Sequence, residues 1–320
     1  MTLCYNAAMQ FTTETLQQII PVLKEELQHN DTLSFDVLNP DLFAGNYAGT
    51  QVRVEGRNYL HRSLRAWMEL AEILKCRMHL PRESTYPLVT LTFSKLEEGS
   101  SFHLYDAETK EEKYGVTSDF FAIHKMEEPA FFHYYLQALE NVGIEDRKRV
   151  LNLGINRGDE FETIKALLDI RKYENMEFVG IDHSETAIEY AQGRFEEENV
   201  MLHAADINHL DRLNLGKFDL LISIGTLQSP GIDYKPFLMH LVQHYLSDDA
   251  ALILGFPNSR WIGGEMVYGA KAPNYAMNEM SLVLNDIIFA KKYLQQKRFR
   301  VTVTGKQYLF LTATKIIRKK

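Results

Sequence analysis

Cysteine is almost missing from this chain: Cys4 and Cys76 are the only two in 320 residues. That excludes a disulfide framework and a cysteine-rich metal site, and it suits a reducing, cytoplasmic setting. Long hydrophobic runs are missing too. No eighteen consecutive apolar residues occur, so no membrane-spanning helix is expected. The opening residues, MTLCYNAAMQFTTETLQ, lack a basic stretch followed by an apolar one, so no secretory signal is expected. There is no internal repeat and no low-complexity tract. Basic charge is in deficit, with 35 Lys+Arg against 43 Asp+Glu and a net charge of −8. Residues 1–140 hold 12 basic and 20 acidic residues, a poor electrostatic footprint for nucleic acid.

What is present is ordinary globular material, 45% hydrophobic and 24% charged, in a chain long enough for two domains. Its most telling stretch begins at Arg149. Val150, Leu151 and Leu153 read as a short strand that Gly154 breaks. Phe161, Ile164, Leu167 and Leu168 then recur at helical spacing, and Phe178, Val179 and Ile181 form a second strand ending at Asp182. Strand, glycine turn, helix, strand and acid is the layout by which an open α/β sheet holds an adenosine. The first turn of that helix carries Asp159, Glu160 and Glu162. A dinucleotide would set its pyrophosphate there, and three carboxylates oppose it. S-adenosylmethionine has no phosphate and carries a sulfonium and an ammonium, so it suits this acidic turn better than NAD. A dehydrogenase is therefore disfavoured.

Further strands follow in order at Met201–Ala204, Phe218–Ile224 and Ala250–Phe256, each pair separated by a segment of helix length. A helix around Leu282–Gln296 precedes FRVTVTGKQYLFLTATKI, a hairpin that turns at Gly305. This ordered set resembles the class I S-adenosylmethionine-dependent methyltransferases, from about Phe120 onward. The resemblance implies an α/β fold: a doubly wound, seven-stranded, mostly parallel sheet closed by an antiparallel C-terminal hairpin. It also implies S-adenosylmethionine as cofactor, with Gly154, Asn156 and Gly158 at its methionine end, Asp182 on the ribose and Asp206 at the adenine. His183, Ile207 and Gly225 complete the expected cofactor lining. Two positions depart from the family pattern. Asn152 stands where an acid is usual, and Asn156 stands where a glycine is usual. Asparagine tolerates positive φ better than other non-glycine residues, so the turn survives.

Ligands in such sheets bind beyond the carboxyl ends of the strands. The loop after Phe256, PNSRWIGGEMVYGAKAPNYAMNEM, is far longer than such connections usually are, and is read as the substrate loop. Within it Arg260, Lys271 and Tyr275 are the expected substrate-binding residues, the cations for a carboxylate or phosphate. Asn258, Glu265 and Tyr268, with His183, are the candidates for the chemistry. His240 and His244 are four apart on a helix, but no glutamate between them and no third ligand complete a zinc site, so no metal is expected.

Residues 1–115 read as an α+β accessory domain and 116–320 as the methyltransferase domain. In the first, helices are expected over Thr12–Gln28 and Ser63–Lys75. Strands are expected at LSFDVL, NYAGTQVRVEGRNYL, LVTLTFSKL, SSFHLYD and KYGVTS, in a small antiparallel sheet. The aromatics Phe120, Phe121, Phe131, Phe132, Tyr134 and Tyr135 are read as core filling between the domains. The expected acceptor is a small anionic metabolite, and self-association is left open. The alternatives are an RNA, for which Arg62, Arg65, Arg77 and Arg82 near Trp67 speak, and a non-catalytic S-adenosylmethionine-binding assembly module.

Overall fold

The computed structural model describes residues 9–97, 115–269 and 280–316. The candidate strand SSFHLYD lies outside the described residues, as do Lys113 and Tyr114 of KYGVTS; the rest of that segment, Gly115–Ser118, is a turn rather than a strand, Ser118 N donating to Gly115 O at 2.9 Å. The chain divides into two compact units: Met1–Ser100 with Ile262–Val267, and Ser101–Trp261 with Tyr268–Lys320.

In the first unit, β1 (Met9–Phe11) leads through α1 (Leu16–His29) into β2 (Thr32–Leu38). The helix starts later than its apolar spacing suggests because Thr15 and Gln18 form a capping box, Thr15 N donating to Gln18 Oε1 at 2.8 Å. Ile19, Leu23 and Leu27, each four apart, are its buried stripe. The stretch expected as one strand is two, β3 (Gln51–Val54) and β4 (Arg57–Leu60), joined by Glu55 and Gly56 at φ 48° and 81°. Two consecutive positive φ values make the turn that reverses a hairpin. Helix α2 (Leu64–Ile73) is capped by Ser63, whose hydroxyl accepts from Ala66 N at 3.4 Å. It buries Trp67, Leu70 and Ala71, and leaves Met68 exposed. The short β5 (Cys76–Met78) and β6 (Arg82–Glu83) both pair with β7 (Leu88–Lys95). The sheet order is β1-β2-β7-β5. It is mixed rather than purely antiparallel, because α1 returns the chain so that β1 and β2 run parallel.

After a short helical turn, Asp119–Ala122, the second unit forms α3 (Pro129–Asn141) and then alternates strand and helix. In order come β8 (Arg149–Leu153), α4 (Asp159–Leu167), α5 (Ile170–Glu174), β9 (Glu177–Asp182), α6 (Glu185–Gln192), β10 (Val200–Ala204), β11 (Phe218–Ile224), α7 (Tyr234–His244) and β12 (Leu246–Pro257). A small hairpin, β13 (Ser259–Ile262) and β14 (Glu265–Tyr268), precedes α8 (Met280–Gln296), β15 (Phe299–Gly305) and β16 (Tyr308–Lys315). The seven-stranded sheet has the order β10-β9-β8-β11-β12-β16-β15, parallel but for β16, which is antiparallel to both neighbours. From β8 the chain winds outward to β10, then returns to β11 on the other side of β8. That reversal opens a crevice at the carboxyl ends of β8 and β11.

Side chains alternate between two faces as the strand period requires. Leu151, Leu221, Leu252 and Leu254 join Leu238 and Ala290 of α7 and α8 on one face. Val150, Leu220, Ile222, Ala251 and Ile253 join Phe131, Tyr135, Phe161 and Ile164 of α3 and α4 on the other. Phe131 and Tyr135 therefore fill the core of this unit itself. Asn152 shares the strand parity of Val150, which sets it on the α3/α4 face.

Candidate functional site

Three loops converge at the crevice. The register pairs Leu153 with Ile181 and with Ser223, so Gly154, Asp182 and Ile224 end adjacent strands at one level. Ser223 Oγ donates to Leu153 O at 3.3 Å and ties β11 to β8 there. Gly154 has φ 80°, and a Cβ on it would run into Thr226 Oγ1. Gly158 caps α4, and a Cβ there would meet the Phe195 ring. Between them Asn156 takes φ 45°, the left-handed position expected of it.

Asp182 closes the loop. Its carboxylate is 6% exposed and accepts from Asn156 N at 3.0 Å and Ser184 N at 3.1 Å. A carboxylate has about four lone-pair directions, so two backbone donors leave room for two more. His183 Nδ1 lies 3.3 Å from Asp182 Oδ1. Ser184 caps α6 by accepting from Ala187 N at 3.3 Å. Asp206 is exposed at the end of β10 and caps the turn that begins at buried Ile207, accepting from Asn208 N at 2.9 Å. Gly225, at φ 78°, begins the turn after β11, and a Cβ there would strike Tyr308 Oη. The cofactor candidates thus line the ends of β8, β9, β10 and β11 within one unit.

The acidic start of α4 is less charged than its sequence suggests. Arg194 donates to Asp159 Oδ1 at 2.7 Å and also pairs with Glu162. This arginine lies more than thirty residues away, so spacing alone carries no signal of it. Two of the three carboxylates are therefore spoken for, and Glu160 is the one left facing inward. Burial and neighbouring Asp159 push its carboxyl up to about 7, against the pull of Lys125 and Asn152. Asn152 is 1% exposed. Its Nδ2 makes no bond of full hydrogen-bond geometry among the described residues, though it lies close enough to Glu160 to act on that carboxyl. Lys125 Nζ lies 5.2 Å from the Tyr308 ring centre and 5.4 Å from that of Phe120. In the sequence Glu160 stands out only as one of three carboxylates in an acidic first turn, and Lys125 and Tyr308 carry no signal.

The long loop after β12 is used differently from the expectation. Asn258 is buried; its Nδ2 donates to Lys306 O at 3.0 Å, and its backbone N donates to Gln307 O at 2.9 Å. That amide holds the β15–β16 turn. Glu265 accepts from Arg77 Nε at 2.7 Å, and Gly263 O accepts from Arg77 at 2.8 Å, inside the first unit. Ile262 and Val267 pack with Leu96 there. The tip of this long loop is thus core material of the N-terminal unit, and Glu265 is an ion-pair partner. Arg260 is part-buried on β13, and Tyr268 is exposed at the end of β14. Lys271 and Tyr275 lie outside the described residues. The rings of His240 and His244 sit 4.6 Å apart, and His240 Nε2 is 3.5 Å from Asp211. No cluster of three or more His, Cys, Asp or Glu suited to a metal occurs among the described residues.

Comparison with known proteins gives one family match, a methyltransferase domain over residues 144–298. No curated protein matches the chain. Similar solved structures include the plantazolicin methyltransferase BpumL in complex with a triazolic desmethylPZN analog and SAH. It is 13% identical over 62% of this chain and 90% of that one, with TM-score 0.41. The N-methyltransferase NodS from Bradyrhizobium japonicum WM9 is 16% identical over 60% and 99%, with TM-score 0.41. Magnesium protoporphyrin IX methyltransferase (ChlM) from Synechocystis PCC 6803, with bound SAM, is 19% identical over 61% and 85%, with TM-score 0.39. At these scores the likenesses carry no argument about substrate. The matched segment and the strand order make the C-terminal unit of this chain a class I, S-adenosylmethionine-dependent methyltransferase domain.

Proposed function

We propose that the chain methylates a small anionic acceptor, with S-adenosylmethionine held across the ends of β8, β9, β10 and β11. The observation that supports this most is Asp182, a carboxylate at a strand end whose loop donors leave half its acceptor capacity for ribose hydroxyls. The Gly154 and Gly225 backbones, bare where a Cβ would collide, suit the close approach of the methionine end. Asp206 and Ile207 suit the adenine. The cofactor supplies a sulfonium methyl for in-line displacement. The chain's own work is to align the acceptor, exclude water and take a proton where the acceptor carries one.

Arg260 is the described cation of the long loop that stays with this unit, and it suits a carboxylate or phosphate on the acceptor. His183, 35% exposed in its side chain and beside Asp182, is the retained candidate base. Asn258 and Glu265 are set aside for that role, since their polar groups hold Lys306 and Arg77. The net charge of −8 disfavours a nucleic-acid acceptor.

Titration calorimetry of S-adenosylhomocysteine, with NAD as control, tests the reading. Asp182→Ala should weaken binding by about 1.5–3 kcal/mol for each charged hydrogen bond lost. Equal affinity in the variant would remove Asp182 from the ribose site. Binding of NAD in place of the homocysteine nucleoside would overturn the cofactor assignment. With binding secured, labelled methyl transfer to carboxylated and phosphorylated metabolites, against RNA, tests the acceptor class.

A further inference from the structure

The departure at Asn152 and the carboxylate of Glu160 belong together. Asn152 sits where the family resemblance puts an acid, and its strand parity aims it at the α3/α4 face, where the first turn of α4 begins. Its Nδ2 is buried and short of a well-formed bond, beside the Glu160 carboxylate. Glu160 is the first-turn carboxylate of α4 that Arg194 does not hold. A buried amide donor short of a full bond and a carboxylate that Arg194 does not hold stand together at the mouth of a cofactor loop, with Lys125 near enough to act on the carboxylate.

We infer that Glu160 supplies from α4 the carboxylate missing from β8, and that with Asn152 it receives the ammonium of the cofactor's methionine end, so that affinity depends on ionisation of Glu160. This rests on the S-adenosylmethionine reading above. Lys125, held over Tyr308 at the same mouth, is placed for the carboxylate of that end. The pair of opposite charges matches an amino-acid zwitterion, whereas a nucleoside without the amino acid has nothing to offer either.

The groups facing Glu160 are Asp159 on its own helix, Lys125 on the turn before α3, Asn152 on β8, and Tyr135 on α3, whose hydroxyl donates to Glu160 O at 3.3 Å. His124 stands one step away, with Nε2 3.6 Å from Asp159. Below neutrality Glu160 is largely protonated and presents no charge to the ammonium. Affinity must therefore rise with pH through about 7. It levels off as the ligand's amine begins to lose its own proton near pH 8, the usual α-amino range.

The test titrates two probes into the full chain at about pH 5.5 and about pH 7.5: S-adenosylhomocysteine and 5′-methylthioadenosine, which lacks the amino-acid end. Homocysteine-nucleoside affinity should rise about tenfold over this interval, and methylthioadenosine affinity should stay level. Glu160→Gln, close to isosteric, should cost the first probe about tenfold to a hundredfold at the higher pH and flatten its profile, sparing the second. Asn152→Asp combined with Glu160→Gln should restore affinity, with ionisation displaced to the ordinary acid range. Equal pH profiles for the two probes in the unmodified chain would overturn the Glu160 assignment alone. Failure of both probes to bind would overturn the cofactor reading as well.

Discussion

The two units use glycine for opposite purposes. In the N-terminal unit Gly56 turns the β3–β4 hairpin, and nothing lies within 4 Å of where its Cβ would stand. In the methyltransferase unit Gly154 has the same left-handed φ, but its missing Cβ makes way for Thr226. One glycine is kept for backbone conformation, the other for close approach of two loops. The polar groups divide in the same manner. In the first sheet they close on each other, as where Ser84 and Thr90 both donate to Asp36. At the carboxyl ends of the second they stay incompletely used, as at Asp182, Glu160 and Asn152. Unspent bonding capacity at converging strand ends marks a place prepared for a ligand.

Substitution of the two glycines sharpens this contrast most. Gly154→Val should cost about 3 kcal/mol or more and abolish S-adenosylhomocysteine binding, since the strained φ and the Thr226 collision add. Gly56→Ala should cost only about 1 kcal/mol, the price of the left-handed backbone. Chemical denaturation of both variants checks the pair; equal losses would break the comparison.

A smaller effect is expected at Glu160. Its folded-state value of about 7 lies above the ordinary 4.5, so the folded chain binds the extra proton and stability falls as pH rises between those values. Glu160→Gln removes that cost. Melting temperature should rise by about 2–8 °C at pH near 8 and stay level near pH 4, read by calorimetry. No rise at the higher pH would mean that folding does not raise the carboxyl above its ordinary range.

The smallest effect belongs to Glu265. Its pair with Arg77 has both side chains about half exposed. Glu265→Gln should shift stability by no more than about 1 kcal/mol and leave kcat unchanged. A large fall in kcat in a folded variant would return Glu265 to the chemistry.

Much of the methyltransferase unit was legible because its evidence is local. Apolar runs of strand length, glycine at the first turn and an acid ending the second strand need only neighbours in the chain. The Arg194 pairs at the start of α4 were not legible, since their partners are more than thirty residues apart. The same holds for Asn258 bonded to Lys306 and for Glu265 bonded to Arg77, 188 residues away. In the N-terminal sheet the apolar alternation of β2 marked a strand, yet it could not say that β1 lies parallel beside it. That choice rests on where α1 returns the chain.

The sequence by itself therefore determined the alternation of strands and helices, the turn chemistry at Gly154, Asn156 and Gly158, and the acid at Asp182, because periodicity and φ preference act over a few residues. The tertiary structure alone decided which charges were spent and which were left. It neutralised Asp159 and Glu162, set part-buried Glu160 beside Asn152, and drew the tip of the long loop into the first unit's core. Desolvation and ion pairing depend on which distant groups share a space, and no local pattern carries that information.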